Sequence, residues 1–186
     1  MNDKRRIRVS KFLSKHLRHD PEAIGLTLDA GGWTAVDALL DGCRRAGLTI
    51  THEDLIEVVR TNSKQRFAFD ETGTRIRANQ GHSVEIDLQL QPAEPPAVLF
   101  HGTADRFLTA ILSDGLKKMD RHHVHLSADE ATAVTVGTRH GRAVVLTVDA
   151  AGMARAGHLF YVSENGVWLT DQVPRPFLYL PEGPTA

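Results

Sequence analysis

The chain of 186 residues has room for one large domain or two lobes of about 90 residues each. It is 41% hydrophobic and 24% charged, and a formal net charge of −1 excludes a global basic field, so any polyanion site must be a local cluster. A single cysteine, Cys43, excludes an intrachain disulfide and a multi-cysteine zinc site, and with a charged N-terminus and no apolar run of about 18 residues a cytoplasmic protein without a membrane partner is expected.

Positive charge is unevenly spread. Residues 1–19 hold Lys4, Arg5, Arg6, Arg8, Lys11, Lys15 and Arg18 against one acid, Asp3. Val9, Phe12, Leu13 and Leu17 share one face of a predicted helix here, and Asp20-Pro21 stops it. Arg18 and His19 fall at its end, where the macrodipole alone favours cations. This stretch does not decide between a charged helix end and an anion grip. "WTAVDALLDGCRRAG" predicts a second helix with Thr34 as N-cap, Asp37 three residues on and Gly47 as its stop. "ITHEDLIEVV" repeats that grammar with Thr51 and Asp54. "RFAFDETGTRIRA" alternates at period two around Thr72-Gly73 and predicts a hairpin, with Arg66 on the face opposite Phe67 and Phe69. Asn79, Gln80 and His82 follow it as polar groups suited to an RNA contact or to a hairpin end. Three helices and a hairpin suggest a winged-helix lobe over residues 1–88.

"QLQPAEPPAV" packs three prolines into ten residues and predicts an extended linker, taken as residues 89–97. Beyond it the pattern becomes short strands and helices, an α+β lobe over residues 98–186. "AVLFHGT" predicts a strand leading into a helix whose apolar residues are Phe107, Leu108, Ile111 and Leu112. Its end offers a ring, His101, a residue that permits close backbone approach, Gly102, and a hydroxyl, Thr103. "HVHLS" is strand-like, and Ser127 with Glu130 predicts a capping box for a helix ending near Gly137. Arg139 follows, with His140 and Gly141. "AVVLTVDA" predicts a strand, and "HLFYVSENGVWLTD" a hairpin hinged on Asn165-Gly166.

His122, His123 and His125 raise a metal reading. Alternation puts His123 and His125 on one strand face and His122 on the other, so a third ligand would have to come from elsewhere, and no HExxH or cysteine pair supplies it. No metal is expected. No P-loop, GxGxxG or GxSxG motif is present.

Eight segments in one order, "SKHLRHDP", "GLTLDAGGW", "KQRFAF", "RANQGHS", "LFHGT", "DGLKKMDRHHVHLS", "VGTRHG" and "FYVSENGVWLTDQVP", make the chain similar to the RNA 2′-phosphotransferase family, often called tRNA 2′-phosphotransferases. The resemblance implies a winged-helix lobe followed by a lobe of the ADP-ribosyltransferase fold that takes NAD as co-substrate. It implies that an internal RNA 2′-phosphate attacks the nicotinamide ribose, giving a 2′-phospho-ADP-ribosylated RNA and free nicotinamide. The ribose 2″-hydroxyl then attacks the phosphorus, leaving 2′-OH RNA and ADP-ribose 1″,2″-cyclic phosphate. The family's Arg-His-Arg-Arg set maps onto Arg18, His19, Arg66 and Arg139. Fixed cations suit a phosphate dianion, and arginine's planar fork holds its oxygens bidentately; His19 would either donate to the phosphate or move a proton. For NAD, the resemblance places His101, Gly102 and Thr103 in the pocket, with His125, Ser127, Gly137 and Asn165 as partners for the adenosine side. A monomer acting on tRNA-like RNA is expected. Two rivals are an ADP-ribosyltransferase that stops after the first step, acting on terminal phosphates or protein, and a non-catalytic winged-helix binder; intact C-terminal motifs oppose the second.

Overall fold

The structure, a computed structural model, describes residues 1–180; the last six residues of the 98–186 lobe lie outside the described residues. It is mixed helix and sheet, as the α+β reading expects, and divides into two compact units, Met1–Gln89 and Leu90–Ala186. No helix among the described residues is long and apolar enough to cross a membrane.

The first unit begins with α1 (Asp3–Arg18), capped by the Asn2 side chain, which accepts from the Arg5 N–H. Val9, Leu13 and Leu17 are buried along it, with Phe12 partly so. The short strand β1 (Thr34–Ala35) leads directly into α2 (Val36–Arg45). The expected cap at Thr34 is therefore not made. Thr34 is committed to an antiparallel pairing with Ile76, and the Val36 N–H is met by the Thr74 carbonyl at 2.9 Å, so the helix start is satisfied by a strand, not by a side chain. By contrast, α3 (His52–Thr61) carries the expected capping box between Thr51 and Asp54. The strands β2 (Phe67–Phe69) and β3 (Arg75–Ala78) form the expected hairpin and complete an antiparallel sheet in the order β1-β3-β2. One core takes residues from all three helices and this sheet, Leu13, Leu39, Leu55 and Ile76 among them. Cys43 lies in it, and burial pushes its thiol up to about 11, which leaves it an inert apolar filler.

The second unit starts inside the expected linker. Ala93 donates to the Phe160 carbonyl at 2.8 Å and Pro92 bridges to Tyr161, so part of the proline-rich stretch is laid on this unit. Its elements are β4 (Val98–Ala104), α4 (Leu108–Asp114), β5 (Leu116–Lys117), β6 (Val124–Leu126), α5 (Glu130–Gly137), β7 (Ala143–Asp149), α6 (Ala150–Arg155), β8 (Phe160–Val162), β9 (Trp168–Thr170), β10 (Gln172–Val173) and β11 (Leu178–Tyr179). They form three antiparallel sheets, β11-β7-β4, β6-β9-β8 and β10-β5. The cap of α5 is Asp129, whose carboxylate accepts from the Thr132 N–H at 2.7 Å, and not the predicted Ser127. Ser127 exchanges main-chain hydrogen bonds with Phe100 in both directions, so it is still extended strand and cannot cap. The β8–β9 turn has only Gly166 at positive φ, +76°, closing on the Ser163 carbonyl. Asn165-Gly166 is thus the end of a four-residue turn with a glycine bulge, not the centre of a two-residue loop. The β2–β3 turn has the same plan at Gly73.

Candidate functional site

In the first unit the predicted residues Arg18, His19, Arg66 and Asn79 converge on one hydrogen-bonded cluster. Arg18 is the last residue of α1 and His19 its C-cap. The Arg18 carbonyl accepts from the Ser83 N–H at 2.9 Å, and His19 Nδ1 lies 2.9 Å from Ser83 Oγ. Arg18 Nη2 reaches the Arg66 carbonyl at 3.5 Å, the limit of hydrogen bonding, and that same carbonyl accepts from the Asn79 N–H at 2.9 Å. The helix end and the start of the β2 strand are thereby tied at one carbonyl.

Arg66 carries the main electrostatic signal. Its guanidinium is half-buried, and its Nη1 donates to a neutral oxygen, Asn62 Oδ1, at 3.2 Å. No carboxylate pairs with it among the described residues. Burial pulls it below arginine's ordinary value, yet an arginine stays charged at neutral pH. A desolvated cation with no counter-ion, beside a second arginine, is a place where an anion is strongly favoured.

The backbone before Arg66 is unusual. Gln65 has φ +41°, a conformation that side-chain-bearing residues adopt rarely, and its carbonyl is held by Asn79 Nδ2 at 2.7 Å. Asn79 is buried, and its Oδ1 has no partner among the described residues. Asn79→Ala is expected to cost about 1 kcal/mol of stability. It also releases the Gln65 carbonyl and with it the backbone that places Arg66. A thermal melt checks this expectation. His82 is buried against Gly32, and Gln80, two residues before it, is half-buried.

The second unit places His101, Gly102 and Thr103 on β4. His101 Nδ1 bonds the His125 carbonyl at 3.0 Å. Burial holds the imidazole below its ordinary range; the bond to His125 pulls the other way, and Arg121 pushes it further down. Burial thus favours the neutral form of the ring. Gly102 is explained twice over. An added Cβ would run into the Ala133 carbonyl, because α5 lies directly on β4 there, and Gly137 completes the contact, its own Cβ position 2.7 Å from the Thr103 carbonyl. The hydrogen-bonding register supplies the other reason. Phe100 pairs with Ser127 and Asp105 donates to Arg142, so by alternation the Gly102 N–H and C=O point away from β7. β4 and β6 part after the Phe100–Ser127 bridge, which leaves these main-chain groups facing the split between two sheets. A flat amide-bearing ligand finds a donor and an acceptor there, so the residues present fit the nicotinamide end of NAD. Gly102→Ala is expected to destabilise this unit by about 1–3 kcal/mol, read by thermal denaturation, since the overlap is with backbone.

Arg139 follows α5 by two residues, exposed, and makes no side-chain hydrogen bond or ion pair among the described residues. Its own N–H is held by the Val136 carbonyl at 3.3 Å. Asn165 lies in the β8–β9 turn, where its Oδ1 accepts from Ser163 Oγ at 2.7 Å. His123 packs against Tyr161 in a tilted arrangement with ring centroids 5.6 Å apart, and among the described residues no three His, Cys, Asp or Glu side chains gather as metal ligands do. Sequence reasoning missed Ser83 and Asn62; Ser83 ends the quoted "RANQGHS" segment, but only its contact with a helix end 64 residues away shows its part.

These features are a pair of arginines in the first unit, one of them half-buried with a neutral partner, and main-chain groups of β4 in the second that point away from β7. The comparisons make this specific. The family model described as "RNA 2′-phosphotransferase, Tpt1 / KptA family" matches residues 4–172. A protein of Trichormus variabilis named "Probable RNA 2′-phosphotransferase" is 57% identical over 180 residues, covering 97% of this chain and 99% of that one. Its namesake in Streptomyces griseus is 56% identical over 187 residues, covering 97% and 99%, and that in Rhodopirellula baltica 52% over 180 residues, covering 96% and 98%. The chain belongs to the RNA 2′-phosphotransferase family.

Proposed function

We propose that the chain is an NAD-dependent RNA 2′-phosphotransferase that removes an internal 2′-phosphate from RNA by transferring it to NAD. The observation that carries this reading, beside family membership, is Arg66: a half-buried cation with a neutral partner and Arg18 at its carbonyl. Such a group is poised for a phosphate dianion, and it costs no reorganisation when charge builds on phosphorus. In this reading the first unit is the winged-helix RNA-binding lobe, residues 1–88, with β2 and β3 as its wing. Residues 89–97 are the connection, and residues 98–186 are the ADP-ribosyltransferase-like lobe. The catalytic set is Arg18, His19, Arg66 and Arg139. NAD is held at His101, Gly102 and Thr103, with His125, Ser127, Gly137 and Asn165 toward the adenosine side. Asn79, Gln80 and His82 support or touch RNA. NAD supplies the electrophilic ribose carbon and the 2″-hydroxyl that receives the phosphate; the chain's own contribution is to hold and neutralise that phosphate. Ser83 holds His19 by one ring nitrogen, Nδ1, and so fixes the orientation of the imidazole.

The test is an RNA with one internal 2′-phosphate, radiolabelled at that phosphorus and incubated with and without NAD. Label moving to a nucleotide-sized cyclic phosphate only with NAD is the expected result. Label retained on RNA that has gained ADP-ribose would replace this reading with a transferase that stops after one step. No change would remove the enzyme reading. Activity is expected to survive a chelator, since no metal enters the chemistry proposed.

A further inference from the structure

The functional reading uses Arg18 and Arg66 but leaves unassigned the groove they close. This groove, about 490 Å³, runs between α1 and the end of α3 within the first unit. Along α1, Ile7, Lys11, Ser14 and Arg18 recur at spacings of four, three and four, one stripe of the helix and distinct from the buried stripe of Val9, Leu13 and Leu17. At 1.5 Å per residue, Lys11 stands about 10 Å and Arg6 about 18 Å from Arg18 along the axis. A nucleic-acid strand advances about 3.4 Å per stacked nucleotide, so the groove is long enough for several.

Its chemistry is one-sided. No Asp or Glu lines it; the opposite wall is Val58, Thr61, Asn62 and Ser63, where Thr61 Oγ1 donates to the Glu57 carbonyl, Asn62 Nδ2 to Ser10 Oγ, and the Ser63 hydroxyl can donate outward. Lys11 is exposed and makes no ion pair among the described residues, while Arg6 is partly neutralised by Asp3 at 2.6 Å. A second groove of similar size in the same unit, about 430 Å³, is lined by Asp37 and Asp41 with Arg44 and suits no polyanion. The first also contains no aromatic ring. Charges and hydroxyls hold phosphates, whereas stacking of bases needs aromatic rings, which this groove lacks.

We propose that this groove is a subsite for the phosphodiester backbone next to the 2′-phosphorylated nucleotide, held by Lys11, Arg6 and the hydroxyls of Ser10, Ser14 and Ser63 without regard to base sequence. It rests on the reading that Arg18 and Arg66 grip the reacting phosphate. Such a protein selects the 2′-phosphate and tolerates its flanks.

The test is anisotropy binding, without NAD, of a 2′-phosphorylated dinucleotide and of the same nucleotide inside longer single strands extended on either side. The longer strand on one side should bind more tightly, and equally so with randomised flanking bases. Lys11→Glu should weaken that longer strand about tenfold and reduce the slope of log affinity against log salt by about 0.7. The dinucleotide should lose much less. Arg8→Glu makes the same charge change on the same helix but outside the groove, and should have a smaller effect; both positions are exposed, and circular dichroism checks their folding. Equal losses from the two variants, or equal wild-type affinity for short and long probes, overturn the proposal. If long strands bind in a Lys11-dependent way but are never turned over with NAD, the groove stands and the phosphotransferase reading falls. If the dinucleotide is turned over and the strand extension adds nothing, the reverse holds.

Discussion

Arg139→Ala is expected to lower turnover about 10²–10³-fold, by analogy with removal of a single oxyanion donor, while leaving the melting temperature unchanged. The two halves of this expectation come from different facts. Arg139 is exposed and its side chain bonds nothing among the described residues, so truncation removes no packing and leaves no orphaned partner. Its position is nonetheless well determined. Gly102 and Gly137 let α5 lie directly on β4, the Arg139 N–H is held by Val136, and Asp105 ties the loop beyond it at Arg142, 3.1 Å away. A cation placed by so much backbone, yet unused by the fold, is free to meet charge that builds on phosphorus. Steady-state kinetics with a 2′-phosphorylated RNA, beside a thermal melt, decides it. Near-normal turnover removes Arg139 from the chemistry, and a lowered melting temperature would make it structural.

The elements legible in the sequence were those whose causes are local. The apolar face of α1 and the capping box of α3 depend on residues within a turn of one another, and both stand as read. Thr34 and Ser127 show where local grammar is overridden. Each has the composition of a cap, but each is claimed by a strand far away in sequence, Ile76 in one case and Phe100 in the other. The arginines could be read because their residue type carries their chemistry. What places them could not: the positive φ of Gln65 is braced by Asn79 across 14 residues, and Ser83 meets His19 across 64. Gly102 was readable as a point of close approach, but that the approaching group is the Ala133 carbonyl depends on how α5 lands on β4.

Arg66→Lys is expected to fold and yet lose about ten- to a hundredfold in kcat/KM with RNA, on the scale of about 1.5–3 kcal/mol for a hydrogen bond to a charged group. The guanidinium spends Nη1 on Asn62 and still has donors left for a phosphate, whereas an ammonium is a single point that cannot span both in a fixed plane. Charge is conserved by the substitution, so the loss measures geometry. The same burial that lowers Arg66 would act more visibly on lysine, whose ordinary value is about 10.4. Desolvation penalises the charged form, so the ammonium would release its proton below that value. The lysine variant should therefore lose further activity as pH rises into the alkaline range, while the native arginine does not titrate there. A pH profile of kcat/KM for both proteins reads this directly. If lysine matches arginine at neutral pH and keeps pace with it in alkali, Arg66 is a general source of positive potential, and the bidentate role belongs to Arg18 or Arg139. If lysine falls behind at neutral pH and falls further in alkali, both the fork and the desolvation of the site contribute to holding the phosphate.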